Sequence, residues 1–392
     1  MTKLLACVVL AVGCHSTPPP KTENAPDLGA EQQKQQTTLL THARGDAKLG
    51  EVDSADKSFE EAYAVKQDPD VLVERVAFLL KNGRTTKALS LAKGYHEGAG
   101  KADPRGYRIY TEALLAAGDG QNAREVAAAE LKLAADDPKA HEQLGRALIL
   151  LDKPDDGLEE IRKAVGLLPT EAAFHVSLGN ALHKLGRVEN AQLEYRAAIK
   201  AAPDNAEANA LLGMALRDLN ELDEAKTFLD KALQLDASNG RAYFELGLLY
   251  NRQGKQAEAE ASLAKAVQLS PSESLFWYAY GEIYRLQQRT DEAIAAYKHA
   301  AELDPPYPKA MQKLGMVYAQ RKQYDDAELV TVQAIRREPK NAASYLTLAD
   351  VYAAKKKNHE AIENYEKFLE LAKRDDPDRG RAKEAISGLR HR

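Results

Sequence analysis

The chain has 392 residues, with 54 lysines and arginines against 59 aspartates and glutamates, for a formal net charge of −5. That balance leaves no excess of positive charge to hold nucleic acid. Its two cysteines, Cys7 and Cys14, exclude a disulfide framework and a cysteine-based structural zinc site, and no apolar run past residue 14 approaches the roughly 20 residues a membrane helix needs.

Residues 1–13 read as a signal peptide: one lysine, Lys3, then the apolar or small stretch Leu4 to Gly13. The end of this stretch, Leu10-Ala11-Val12-Gly13-Cys14, resembles the lipobox of bacterial lipoproteins, with the leucine one place further from the cysteine than is usual. The resemblance implies lipidation at Cys14, which palmitate labelling would report. Cys7 follows Leu4-Leu5-Ala6, a closer local match, but cleavage there would leave only about three apolar residues for the signal core. Residues 14–35 hold four prolines and no aromatic residue, and are expected to form a disordered tether of roughly 25 Å root-mean-square length.

From there the chain is periodic. Leu144-Gly145, Leu178-Gly179, Leu212-Gly213 and Leu246-Gly247 recur every 34 residues, and Tyr280-Gly281, Leu314-Gly315 and Leu348-Ala349 continue the series. A second column is small (Ala123, Gly157, Ala191, Ala225, Ala259, Ala293, Ala327, Ala361), and a third is mostly proline (Pro169, Pro203, Pro271, Pro305, Pro339). Each unit carries two apolar stripes at helical spacing, such as Leu246, Leu249 and Tyr250, then Ala259, Leu263 and Ala266. Gly254 falls between them at a turn, and Pro271 blocks continuation of the second helix. Each unit is therefore a helix–turn–helix. The small columns mark where its two helices approach closely, and stacking of neighbours buries what one pair cannot.

These columns resemble the tetratricopeptide repeat. The resemblance implies an all-α solenoid, a right-handed superhelix of 34-residue helix–turn–helix units. The array is expected over residues 104–375, preceded by degenerate repeats at 36–103 and closed by a capping helix at 376–392, where Ala382, Ala385, Ile386 and Leu389 form one apolar stripe. In the degenerate part, Asp46 falls where a large apolar residue belongs.

No catalytic constellation is expected, and neither a cofactor nor a metal ion is called for. The sequence holds no GxSxG, HExxH or CxxC. Gly98-Ala99-Gly100-Lys101 resembles a phosphate loop only faintly, since Tyr95 and Ala102 replace the glycine and the hydroxyl residue that such a loop requires. The family resemblance implies that the fifth, ninth and twelfth positions of each first helix face a concave groove. The middle of that groove then combines Met214, Phe244, Leu248 and Tyr278 with Asn180, His183, Arg217, Asn251, Glu282 and Arg285. Apolar anchors beside hydrogen-bonding groups suit an extended peptide or partner helix. The competing reading turns Phe244 and Tyr278 sideways into the core between repeats. The lysines and asparagines of the carboxylate clamp found in chaperone-binding members are not matched at the fifth and ninth positions.

Together these features lead to the expectation of a non-catalytic interaction scaffold, lipid-anchored in the bacterial cell envelope at the outer membrane and facing the periplasm. Its partners are expected to be envelope proteins or extended peptides. In architecture it is similar to the lipoprotein pilotins that help pilus secretins assemble. The alternative is an adaptor or regulator of envelope hydrolases or proteases.

Overall fold

The computed structural model describes residues 28–303 and 307–390, so the signal peptide, Cys14 and residues 14–27 of the expected tether lie outside the described residues. The chain divides into two units, residues 1–71 and 72–392, with the boundary in the first turn of the third helix.

In the first unit, α1 (Leu28–Leu49) and α2 (Val52–Lys66) pair closely. The start of α1 corrects the expected tether: residues 28–35 are helical rather than disordered. Six of its eight residues are glutamine, glutamate, lysine or alanine, good helix formers that leave no apolar stripe to read. The helix is anchored by Gln36, which is buried and donates Nε2–H to the carbonyl of Ala62 at 3.2 Å, and by Ala43 in the core. Asp46, the misfit of the apolar pattern, accepts a hydrogen bond from Ser54 Oγ at 2.7 Å.

The second unit takes in most of α3 (Pro69–Lys81) and α4 (Thr85–Glu97), then runs as helix pairs: α5 (Pro104–Ala116) with α6 (Gly120–Leu133), and α7 (Pro138–Leu150) with α8 (Pro154–Leu167). It continues with α9 (Ala172–Lys184) and α10 (Val188–Ala201), α11 (Ala206–Asp218) and α12 (Leu222–Leu235), and α13 (Gly240–Arg252) and α14 (Gln256–Leu269). Then come α15 (Ser274–Leu286) and α16 (Thr290–Glu302), α17 (Pro308–Gln320) and α18 (Tyr324–Arg337), α19 (Ala342–Ala354) and α20 (Asn358–Leu371), and the single helix α21 (Asp378–Arg390). There is no strand among the described residues.

Local chemistry sets these boundaries. Several first helices start at a side-chain cap: Asp137, Asn205 and Asn239 each accept the backbone N–H three residues on, at Ala140, Ala208 and Ala242. They end in a reversal with one residue in the left-handed region, and that residue recurs every 34 positions. It is Gly118, Gly186 and Gly254 in three repeats, but Asp152, Asn220, Gln288, Lys322 and Lys356 in five others, all with φ between 60° and 76°. The next N–H bonds back to a carbonyl five residues earlier, as Lys153 to Leu148 and Lys255 to Tyr250, which seals the helix end. Second helices open on acidic first turns, as with Asp155 and Asp156 or Asp325 and Asp326, which complement the helix dipole.

Within a pair, the small columns let the helices touch. A Cβ on Gly247 would stand 2.6 Å from Leu263 Cγ, and Leu263 is fully buried. From α5 onwards, each first helix packs on the second helix of the preceding repeat. First helices also touch one another in succession, as α5 with α7, α7 with α9, α11 with α13 and α13 with α15. First helices thus line the inner, tighter face of this unit. The helix α21 takes the place of a further first helix: Ala382 and Ile386 pack against Tyr365 and Phe368 of α20, and Arg381 bonds Asp350 at 2.9 Å.

Candidate interaction groove

Position along a first helix decides what reaches the inner face. The fifth position points mostly into the core: Glu142, Ala210, Phe244, Gln312 and Leu346 are buried. The expectation that Phe244 is an exposed anchor is therefore corrected. Its ring is 4% exposed and stacks on Phe276 of the next repeat, centroids 4.4 Å apart, so it fills the core between α13 and α15. Tyr278 is half-buried, with its ring near Tyr307 and Tyr297. Burial pushes its hydroxyl up to about 12. Met214 and Leu248 are half-buried and pack against the cores beneath them.

The ninth position lies on the inner face, and in three repeats a tyrosine from the second helix holds it. The ring of Tyr195 passes under Gly179, where a Cβ would be 2.5 Å from it, and its hydroxyl donates to Asn180 Oδ1 at 2.8 Å. Tyr297 makes the same reach under Gly281 to Glu282, and Tyr365 to Asp350 at 2.6 Å. Burial and then the carboxylate partner push the Tyr297 hydroxyl far above its ordinary value. Because its oxygen is engaged, exposed Asn180 keeps its amide hydrogens for solvent or a ligand.

The twelfth position is tied into ion pairs. His183 Nε2 lies 2.8 Å from Asp218 Oδ2, and Arg217 reaches Asp218 at 3.0 Å and Glu245 at 3.2 Å. Glu245 is fully buried, and loss of solvent raises its carboxyl above the ordinary value against the pull of Arg217 and Arg241. Arg285 pairs with Glu282 at 3.0 Å, while Asn251 is half-exposed on the same face. The structure thus brings His183 and Arg217 together in one network and Glu282 and Arg285 in another, but it does not form the apolar stripe expected through Phe244.

The open pocket lies further towards the N-terminus, between α7 and α9, with a volume of about 460 Å³. Its apolar lining includes Ile149, Leu150, Ala173 and Val176, and Ser177, Asn180 and Lys184 bring polar groups to it. Beneath it, the nearly buried carboxylate of Glu142 pairs with Lys139 at 2.7 Å and Arg146 at 3.3 Å and accepts a hydrogen bond from the Ser177 hydroxyl at 2.7 Å. Arg146 also grips Glu112 in a two-pronged bond, both contacts 2.9 Å. Burial pushes the Glu112 carboxyl up, but the charge and hydrogen bonds of Arg146, with Lys139 and Gln143, outweigh this and hold it below the usual range. The fixed charges of the floor are thus mutually satisfied. Five lining residues, Glu142, Arg146, Ile149, Val176 and Asn180, hold fifth, ninth and twelfth positions, and Asn180 is one of the expected groove residues; the expectation centred the groove instead on the apolar residues around Phe244 and Tyr278. Ala173, Val176, Asn180 and Lys184 are spaced by three or four residues, and that spacing is the signal that finds it.

The phosphate-loop likeness at 98–101 is resolved by packing. Ala99–Ala102 form a short 3-10 turn, with Gly100 pressed on the ring of Tyr95 and on Gly106. Among the described residues, no group of histidine, cysteine, aspartate or glutamate is arranged to hold a metal ion, and no helix is long and apolar enough to cross a membrane.

Comparison with known proteins bears on this architecture. Profiles described as tetratricopeptide repeat match residues 176–240, 211–274 and 244–308, and residues 342–375. Among solved structures, yeast Tom70 is similar over 92% of this chain and 96% of its own, with TM-score 0.52 and 15% identity. A chain of the APC/C Cut9–Hcn1 hetero-tetramer is similar over 90% of this chain and 76% of its own, with TM-score 0.54 and 15% identity. YrrB, a repeat protein described as having an unusual peptide-binding site, is 25% identical over 49% of this chain and 97% of its own, with TM-score 0.40. No curated protein matches. The repeated helix pairs, their shared left-handed turn and the matching profiles agree: residues 176–308 and 342–375 are tetratricopeptide repeats, set in an all-α array of like helix pairs.

Proposed function

We propose that this protein is a non-catalytic scaffold whose pocket between α7 and α9 seats an extended segment of a partner protein. The observation that carries the reading is the pocket itself: an apolar lining about 460 Å³ in volume beside the exposed Asn180 and Lys184. Such a site can take an apolar side chain while donating hydrogen bonds to the segment that bears it. With Lys139 and Arg146 paired to Glu142 and Glu112, the exposed Lys184 and the Asn180 amide are the donors the pocket offers, so it favours segments rich in acceptors. The Leu10-to-Cys14 segment supports a lipid anchor at Cys14 and a place on the periplasmic side of the outer membrane. In that setting the partner is a subunit of an envelope assembly, such as a pilus or secretin component.

The test is capture from detergent-solubilised membranes by wild type, Ala173→Leu and Lys184→Glu, with folding checked by circular dichroism. Both substitutions lie on exposed residues. A partner enriched by wild type and lost with both folded variants supports the pocket. Unchanged capture by both variants removes it as the site. Capture dominated by hydrolases or proteases would make the protein an adaptor instead. For the anchor, palmitate label that survives Cys14→Ser would exclude that cysteine.

A further inference from the structure

The fourth position of a first helix has a recurring structural task. In α15, Trp277 donates Nε1–H to the carbonyl of Pro271 at 2.9 Å, and in α19, Tyr345 donates its hydroxyl hydrogen to the carbonyl of Pro339 at 3.1 Å. Each acceptor lies six residues upstream, in the turn entering the repeat. The slot therefore calls for a ring with a hydrogen on its outer atom. In α7 and α9 the slot holds His141 and His175, with Nε2 2.9 Å from the carbonyl of Ala135 and 3.0 Å from that of Pro169.

Histidine differs from tryptophan and tyrosine in carrying a second ring nitrogen, and in both repeats that nitrogen meets a carboxylate. Nδ1 of His141 is 2.6 Å from Glu160 Oε2, and Nδ1 of His175 is 2.7 Å from Glu194 Oε2. The sites are one repeat apart and identical in chemistry. The histidine side chains are only 14% and 13% exposed.

A carbonyl and a carboxylate can only accept, and a neutral imidazole carries one N–H. A neutral ring would satisfy one acceptor and press a lone pair against the other, with little water to intervene. A ring bearing hydrogens on both nitrogens satisfies both and makes a charge-assisted bond to the carboxylate. We propose that His141 and His175 are imidazolium clasps, each tying the incoming turn to the second helix of its own repeat, and that together they brace the two walls of the pocket between α7 and α9. The clasp stands on its own geometry; its bearing on partner binding rests on the reading of that pocket. The two clasped helices are the two walls of the pocket, with Lys139 and Glu142 on either side of His141, and Ala173, Val176 and Ser177 around His175.

Each clasp sits among further charged groups. Around the first, Glu160 is also bonded by Lys163 at 2.8 Å, and Lys163 reaches Glu159 at 3.1 Å. Asp137, the cap of α7, pairs with Arg108, which also bonds Glu130. Around the second lie Glu194 and the α9 cap Glu171. Burial raises the Glu160 carboxyl, but its bonds to Lys163 and His141 outweigh this and lower it, so its contribution is lost as pH falls through the acid range.

The test uses the full chain labelled with ¹⁵N and reads long-range imidazole correlations near pH ~6.5, assigned through His141→Gln and His175→Gln. Hydrogens on both nitrogens of both rings are expected, and singly protonated rings overturn the clasp. The wild-type spectrum decides this even where a variant fails to fold, with assignment then taken from Glu160→Gln and Glu194→Gln. Hydrogen exchange supplies the second reading. At pH ~6.5, protection over residues 135–138 and 169–184 should be about tenfold lower in Glu160→Gln/Glu194→Gln than in wild type, as a charge-assisted bond is lost. Charged rings with unmoved exchange over 173–184 would overturn the coupling to the pocket. Failure of the capture experiment would instead strike the pocket as a partner site and leave the clasp untouched.

Discussion

Gly247→Ala isolates the close approach that sets the repeat geometry. The new Cβ would stand 2.6 Å from Leu263 Cγ, 3.0 Å from its Cδ2 and 3.3 Å from the Ala259 carbonyl oxygen. Leu263 is fully buried and cannot swing into solvent, so α13 and α14 must separate or Leu263 must leave its rotamer. Overpacking of this kind costs about 1–3 kcal/mol. Against it stands the better helix propensity of alanine, about 1 kcal/mol. The control is Gly94→Ala in α4, where a Cβ meets nothing within 4 Å. It carries the propensity gain alone and should stabilise by about 0.5–1 kcal/mol. Equilibrium urea unfolding followed by circular dichroism measures both, with a constant slope required because repeat arrays can lose cooperativity. The difference between the two variants should be about 1–3 kcal/mol, and Leu263→Ala should cost less in the Gly247→Ala background than in wild type. If Gly247→Ala stabilises as much as Gly94→Ala, the close-packing account of the small columns is wrong.

Three further outcomes follow from particular contacts. Phe244→Ala should destabilise by about 3–5 kcal/mol in urea melts, as expected for a buried stacked ring, and wild-type stability would return Phe244 to the groove face. Glu130 is almost fully buried and loss of solvent pushes its carboxyl up to about 7, against the pull of Arg108. Ionising it in the folded state is therefore unfavourable, and stability falls as pH rises from its ordinary value of 4.5 to about 7. Glu130→Gln should match wild type near pH 5 and exceed it near pH 8, by on the order of 2–3 kcal/mol; an equal difference at both pH values would refute the assignment. Lys322→Gly, at φ 62°, should raise stability by about 0.5–1 kcal/mol by removing left-handed strain, and thermal melting would show no gain if that turn is already relaxed.

The phase of the repeats is legible in the sequence because close helix contact admits only small side chains, and Gly145, Gly179, Gly213 and Gly247 report it directly. The reversal is legible only where it is glycine. Gln288, Lys322 and Lys356 adopt the same left-handed turn, and period alone, not residue type, locates them. The early start of α1 escaped an apolar-residue criterion because residues 28–35 are held by helix propensity and by one buried glutamine rather than by bulk. Tyr195, Tyr297 and Tyr365 reach through to the inner face from second helices, a contact between helices that no single stripe displays.

The position of the pocket follows from the sizes of side chains at equivalent places. Between α7 and α9 these places hold Glu142, Ala173 and Val176. One hundred and two residues later, three repeats on, the same places between α13 and α15 hold Phe244, Leu275 and Tyr278. There Phe244 closes onto Phe276, and Tyr278 settles beside Tyr307. Where the places are small, the backbone spacing is unfilled and a cavity stays open; where they are large, the protein fills the space with its own aromatic rings. A stripe of apolar residues in the sequence therefore marked the closed part of the inner face. The open part was marked by alanine and valine beside a carboxylate that its own repeat neutralises. Concentrated hydrophobicity and availability to a partner are opposed here, because the same stacking that brings the rings together removes them from the surface.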